Sequence, residues 1–385
     1  AGRGGRHSHY NLSMREFELL KHIYSTNPLL PGRVTIPPGD DMGAVTIGDA
    51  QVLITVDQVA DGVHFDLKNS PLEKIARKAI TRNLSDVAAM GAVPVAAVVA
   101  GCLPRGFGEA NANALGDHMR AVARGFGCPL IGGDISMWDH PLLLSVTVLA
   151  ETKGVDPLLR TGAREGDVIC VTGALGGSLV TMPDETQPRD SRGRREYTHH
   201  LDFEPRLNVA RALASSAELR PRCMIDLSDG LAQDLPRLCG PREAAPAKER
   251  ARQSQDYRLV EPFREGGVQP KSALTPALSH PPAGERGPEL TACVQIDRLP
   301  LSVAAPLAAQ FSGKPAWQHA IGDGEDYELC FCVAPDVAAR LPSQIEGVPI
   351  TQIGVMKPRG ERIVEWLNAD GKHESIAGLG WEHHG

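Results

Sequence analysis

Residues 83–94 read NLSDVAAMGAVP, and the fold class follows from how this stretch is parsed. Its first half closes an amphipathic helix predicted from about Leu72 to Met90, Met-Gly ends that helix, and PVAAVVAG (94–101) opens an apolar strand. At about 100° per residue, Leu72, Ile75, Ala76, Ala79, Ile80, Val87 and Met90 form one apolar arc, while Lys74, Lys78, Thr81 and Ser85 form the wet face. Asp86 falls at the edge of the arc and Asn83 near its middle. A buried carboxylate without a partner costs several kcal/mol or takes up a proton. Asp86 therefore requires a metal ion or a tight hydrogen-bond network, and the metal is the preferred reading.

Outward from this helix, short apolar strands alternate with helices. GAVTI (43–47), QVLITVD (51–57), PLIGGD (129–134) and LLLSVTVLA (142–150) are strand-like, with a second helix from about Gly108 to Phe126. A second set follows: DVICVTG (167–173), a helix around Glu204–Ser215, MIDLSDG (224–230) with a helix after it, VQID (294–297), YELCFCV (327–333) and ITQIGV (350–355). The pattern predicts an α/β (α+β) protein of two domains, 14–151 and 152–385, crossing near KGVDPLLRTGAREGD (153–167). Residues 1–13 read as a tag or misassigned start. The polar stretch 183–200 reads as a mobile loop, and 241–290, with eight prolines and no sustained periodicity, as a disordered surface insertion or a docking arm.

The 385 residues carry 40 Lys plus Arg against 47 Asp plus Glu, a formal charge of -7. That balance argues against a protein that lives by gripping nucleic-acid backbone, which needs clustered basic residues. Any phosphate chemistry should then use metal ions. The eight cysteines form no CxxC pair and sit mostly in apolar runs, so they read as buried hydrophobes in a reducing compartment. No apolar run approaches the roughly 20 residues of a membrane span. A cytoplasmic protein is expected.

Carboxylates recur at strand ends and strand-to-helix turns: Asp40 and Asp41 in PPGDDMGAV, Asp57 in ITVD, Asp134 in IGGD, Asp226 and Asp229 in MIDLSDGL, and Glu325 with Asp326 in GDGEDYEL. Ligands of open α/β sheets bind at strand carboxyl ends. Singly, each Asp-Gly pair is ordinary turn chemistry; together, several acids that directly follow strands would converge. All-oxygen ligands without a Cys/His cluster point to Mg²⁺ and not zinc. There is no HExxH and no GxxxxGK[ST], so the Walker A phosphate loop is absent. GALGGS (173–178) matches no dinucleotide fingerprint and reads as a turn rather than a phosphate cradle.

Taken in order, GDD (39–41), TVDQVADGVHF (55–65), NLSDVAAMGAVP (83–94), IGGD (131–134), RTGAREGD (160–167), IDLSDGLAQDL (225–235) and GEDYEL (324–329) resemble the thiamine-monophosphate kinases. These belong to the superfamily that includes aminoimidazole ribonucleotide synthetase and selenophosphate synthetase. The resemblance implies a two-domain aminoimidazole ribonucleotide synthetase-like fold whose N-terminal domain binds ATP and magnesium and pairs through its sheet in a homodimer. It implies transfer of the γ-phosphate of ATP to thiamine monophosphate, giving thiamine diphosphate, with several Mg²⁺ and no general base. Asp41, Thr55, Asp57, Asp86, Asp134 and Asp226 would hold metal, with Asp229 a further candidate. Gly133, Asp134, Arg160 and Ser228 would contact ATP, and His64, Glu325 and Trp381 would meet thiamine phosphate.

The sequence also departs from the family pattern. Pro37-Pro38-Gly39 stands where Gly-x-Gly is usual, Val56 replaces a hydroxyl before Asp57, and Pro236 interrupts the helix after LSDG. Two rivals remain in view. Another enzyme of the superfamily would need a reactive cysteine near the N-terminus or a terminal one, whereas the first is Cys102 and the chain ends GWEHHG. A non-catalytic nucleotide-binding paralogue conflicts with the retention of every acidic motif.

Overall fold

The structure is a computed structural model that describes residues 33–183, 196–240 and 290–376. The first sheet contains β1 (Val34–Ile36), β2 (Gly43–Ile47), β3 (Ala50–Ala60), β4 (Val93–Pro104), β5 (Leu130–Trp138) and β6 (Leu143–Glu151) in the order β1-β2-β3-β6-β4-β5. Only β4 and β5 pair in parallel. Their connection is the helix α2 (Glu109–Gly125), as parallel strands require a crossover. Helix α1 (Leu72–Ala89) links β3 to β4. Strand β6 shows why one face is covered: Leu144, Val146, Val148 and Ala150 are buried and alternate with half-buried neighbours.

Gly91 ends the NLSDVAAMGA motif for two reasons. Its φ is +62°, and an added Cβ would lie 2.6 Å from the Cβ of Ala214. Only glycine meets both conditions. Ala214 belongs to α4 (Leu207–Ser215), so this turn is where helix α1 seats against the second half.

The second sheet runs β10-β12-β7-β14-β11-β15, with a short strand β13 (Gln344–Ile345) on β14. Its members are β7 (Val168–Thr172), β10 (Cys223–Asp226), β11 (Leu290–Gln295), β12 (Leu329–Val333), β14 (Val348–Pro358) and β15 (Val364–Leu367). Strands β10 and β12 are buried at every residue, which is why they read as unbroken apolar runs. Seven of the eight cysteines are buried, Cys102 is half-buried, and all are free thiols. A ribbon of β8 (Thr181–Pro183) and β9 (Glu196–Thr198) leads into α3 (His199–Asp202). Helices α5 (Leu231–Asp234), α6 (Ala305–Ser312) and α7 (Ala316–Gly322) complete the set used below. As Pro236 leads one to expect, α5 stops after one turn and continues as a 3₁₀ turn, Leu235–Leu238.

Three expectations need correction. Lys78, Thr81 and Ser85 do not form a wet face: all three are buried. The side of α1 away from its own sheet is covered by α3, α4 and β10, so this helix is enclosed on both faces. Part of the presumed mobile loop is ordered, with residues 196–200 forming β9 and the start of α3. Leu290, counted with the insertion, is a buried residue of β11. The rest of the insertion, the loop residues 184–195, residues 1–13 and Trp381 lie outside the described residues.

Candidate active site

Four elements deliver an acidic centre. Asp41 comes from the β1–β2 connection, Thr55 from β3, Asp86 from α1 and Asp226 from the last residue of β10. Asp41, Asp86 and Asp226 each place a carboxylate oxygen within 4.8 Å of the other two. Thr55 Oγ1 donates to Asp86 Oδ2 at 2.5 Å, and Ser85 Oγ donates to Asp226 Oδ2 at 2.7 Å. Arg160 grips the other side, with Nη2 donating to Asp41 Oδ1 at 2.6 Å and its backbone N–H to Asp40 Oδ1 at 2.7 Å. Asp57 faces Arg82, Nε to Oδ2 3.2 Å, while its backbone N–H donates to Asn83 Oδ1 at 3.0 Å.

The charge balance of this centre is unfavourable as it stands. Two like charges at 4 Å repel by about 4 kcal/mol at an effective dielectric near 20. Burial, with Asp57, Asp226 and Asp41 beside it, pushes the Asp86 carboxyl well above its usual range despite the hydrogen bond from Thr55. Burial and Asp41 push Asp226 up to about 7, against the opposing pull of Ser85 and Arg160. Asp41 Oδ2 is buried with no hydrogen-bond partner among the described residues. Hard oxygen donors, mutual repulsion and an orphaned carboxylate oxygen are what a divalent cation such as Mg²⁺ relieves, so these residues fit it.

A second cluster lies at the other end of the same helical stripe. Lys78 Nζ, wholly buried, donates to both Glu325 carboxylate oxygens at 2.7 and 2.8 Å and to the His64 carbonyl at 2.8 Å, and lies 2.8 Å from His200 Nδ1. Burial lowers the Lys78 ammonium to about 8 against the pull of Glu325. Burial works to raise Glu325, but His200 and Lys78 outweigh it and bring that carboxyl down to about 2. Glu325 and Tyr327 both hold φ near +50°, a left-handed backbone rare outside glycine.

The glycine-rich stretch 173–178 cradles carboxylates rather than phosphate. Gly176 N–H donates to Asp326 Oδ1 at 2.9 Å and Gly177 N–H to Asp323 Oδ2 at 3.1 Å. Behind them Arg206 holds Glu328 through two bonds of 2.7 and 2.5 Å, with Thr172 Oγ1 adding a third at 2.6 Å. The GEDYEL turn is thereby fixed from below.

Other expected site residues lie apart. Asp57 pairs across the first sheet in register with Val146, Val99 and Gly133, so Asp134 stands one residue further on and points to the opposite, open face. Three strand spacings of roughly 4.8 Å separate β3 from β5. Asp134 is exposed and does not join the Asp41 centre. Asp229 pairs with Arg237 at 2.9 Å, and its backbone N–H donates to Asp234 Oδ2. Ser228 contributes its carbonyl to Glu325 N–H at 2.8 Å. His64 offers its carbonyl to Lys78, and its Nδ1 accepts from Ala60 N–H at 3.1 Å. Lys78, Arg82, Ser85 and His200 also stand at the site, with no motif in the sequence that marks them. Lys78, Arg82 and Ser85 share a helix face with spacings of four and three, a signal that reading the face as solvated conceals.

Residues 39–152 match the model of the AIR synthase related protein, N-terminal domain. Over 347 residues the chain is 33% identical to a thiamine-monophosphate kinase of Rhodopirellula baltica, covering 88% of each. The chain belongs to the thiamine-monophosphate kinase family. The kinase of Haemophilus influenzae is 29% identical across 97% of this chain and 98% of that one. Among solved structures, AaThiL complexed with AMPPCP and TMP superposes with a TM-score of 0.65 at 23% identity, covering 96% and 97% of the two chains. The thiamine-monophosphate kinase of Stenotrophomonas maltophilia gives 0.59 at 26%, covering 94% and 99%. The hydrogenase maturation protein HypE has the same fold at 16% identity and a TM-score of 0.59, covering 94% and 96%.

Proposed function

We propose that this member of the thiamine-monophosphate kinase family transfers the γ-phosphate of ATP to the phosphate of thiamine monophosphate, releasing ADP and thiamine diphosphate. The observation that carries the reading is the convergence of buried Asp41 and Asp226 with half-buried Asp86, mutually repelling, in a chain of this family. Donor and acceptor are both polyanions, so the site must supply positive charge. Mg²⁺ held by Asp41, Asp86 and Asp226, with Thr55 and Asp57 alongside, would neutralise phosphate oxygens of both substrates. Arg160 orients Asp41 and adds a fixed positive charge next to the carboxylates.

The attacking phosphate oxygen is already ionised at neutral pH, so no side chain needs to remove a proton. What remains for the protein is alignment and charge stabilisation. The left-handed turn at Glu325–Tyr327, held by Lys78, and the neighbouring His64 segment form the side assigned to thiamine phosphate, with Trp381 a further candidate there. Gly133, Asp134 and Ser228 are assigned to ATP together with Arg160, and Asp134 and Asp229 to further metal ions.

A homodimer fits the first sheet. β5 ends that sheet among the described residues, and Ile131, Ile135 and Met137 along it are exposed. Ile54 and Val56 expose more apolar surface on the open face of β3. A second copy packed along β5 would bury Ile131, Ile135 and Met137 and bring Gly133 and Asp134 into an enclosed site. Among the described residues no helix is long and apolar enough to cross a membrane, and the cytoplasm is the compartment proposed. The assignment is tested by incubating the protein with ATP, Mg²⁺ and thiamine monophosphate. Equimolar ADP and thiamine diphosphate are expected; ATP binding without thiamine diphosphate formation sinks the assignment.

A further inference from the structure

Helix α1 carries one polar stripe with two chemically different ends. At one end Ser85 and Asp86 reach Asp226 and Thr55. At the other, Lys78 reaches the GEDYEL turn and the His64 segment. Arg82 lies between, paired with Asp57. From residue 78 to residue 86 the axial rise is about 12 Å. The aspartate end suits cations and polyphosphate. The Lys78 end is charge-balanced and backed by two buried rings, Phe203 and Tyr327, stacked on each other with centroids 3.8 Å apart. It offers a packed, charge-neutral support for the wall that faces the acceptor and no site for a cation.

We propose that Lys78 is a positioning residue for the acceptor, setting the shape of the thiamine phosphate side of the site without touching the transferred phosphate. The proposal rests on the kinase reading above and adds to it a residue and a division of labour along α1. One ammonium ties together three separate segments: the turn after β3 through the His64 carbonyl, α3 through His200, and the 324–327 turn through Glu325. Those segments come from both halves of the protein. Glu325 adopts its left-handed backbone with both carboxylate oxygens held by that ammonium. Such a conformation persists only where its surroundings over-determine it.

The cluster is closed electrically. Lys78 faces Glu325 and His200 from the second half and Arg82 from its own helix, with Tyr327 adjacent. Burial lowers the His200 pKa, and its Nδ1 lies between the Lys78 ammonium at 2.8 Å and Glu325 Oε2 at 3.1 Å. Removing the lysine strands a buried carboxylate, and the turn must rearrange to bring it to water. That rearrangement moves the acceptor wall and leaves the carboxylates that serve ATP in place, because Ser85, Thr55 and Arg160 hold those independently.

The test is steady-state kinetics of Lys78→Met, Glu325→Gln and the double variant on the full chain, with both substrates varied. Each single variant is expected to raise KM for thiamine monophosphate at least tenfold while KM for ATP stays within twofold. The double variant is expected to match Lys78→Met, since that variant already lacks the Lys78–Glu325 contact. If Lys78→Met does not fold, Lys78→Arg, which keeps the charge but not the compact ammonium that reaches His64, His200 and Glu325 together, decides alone. An unchanged thiamine monophosphate KM, equal rises for both substrates, or additive effects overturn the positioning role. Wild-type protein that forms no thiamine diphosphate overturns the kinase reading instead, so the two failures are distinct.

Discussion

Ser85 donates its hydroxyl to Asp226 across 141 residues of sequence, while its neighbour Asp86 places its own carboxylate beside the same group. One turn of α1 thus both restrains an acid from the second half and repels it. Such a pair is costly to fold and useful to a cation, the pattern expected of a site whose stability is traded for binding.

Asp86→Asn separates these two effects. Turnover with saturating ATP and thiamine monophosphate should fall by about 10²–10³-fold, the scale of losing one preorganised electrostatic group. In EDTA the same variant should melt higher than wild type, by about 2–4 °C, because one of three mutually repelling carboxylates is gone. Differential scanning calorimetry with parallel product assays checks both. Unaltered turnover would refute the metal role.

The pH dependence of metal-free stability follows from Asp226. Its folded pKa, about 7, lies above the roughly 4 of an unfolded aspartate. Between those values the folded protein holds a proton that the unfolded chain has released, so stability falls as pH rises through the window. The melting temperature in EDTA should be higher at pH 5 than at pH 8. Mg²⁺ should raise it most at pH 8, where the carboxylates are ionised. A melting temperature in EDTA that climbs from pH 5 to pH 8 contradicts the account.

Gly133 has no room for a side chain. A Cβ there would overlap the backbone carbonyl of Val99 on the paired strand β4. Gly133→Ala must therefore push β5 outward, with an expected loss of about 2 kcal/mol or more in denaturant unfolding. If β5 also carries ATP contacts, KM for ATP rises in the same variant.

Ile135 is 72% exposed in the middle of β5. If a second copy covers this strand, Ile135→Lys buries a charge in that interface and should convert a dimer to a monomer in sedimentation velocity. Wild type that sediments as a monomer at micromolar concentration removes the basis for pairing through this edge.

Much of the architecture is legible locally. GAVTI at 43–47 is β2 residue for residue, and the helix read from Leu72 forms α1, because alternation and helical spacing report directly on which face meets a core. The polar face of α1 departs from its sequence pattern for a physical reason. Lys78 and Ser85 follow the spacing of a solvated stripe, and only the second half of the chain, more than a hundred residues later, covers them. His200 was hidden in the same way inside a stretch whose composition suggests a loop. Asp134 illustrates the opposite limit: its motif is clear, but strand register decides which sheet face it occupies, and register is not written in the motif.

The most direct measurement follows the label from γ-³²P-ATP in the presence of Mg²⁺ and thiamine monophosphate, for wild type and Asp86→Asn. The account predicts that label appears in the terminal phosphate of thiamine diphosphate with wild type, is abolished by EDTA, and falls by two or more orders of magnitude with Asp86→Asn. Label released only as inorganic phosphate, or labelled thiamine diphosphate formed equally well by the variant, would contradict it.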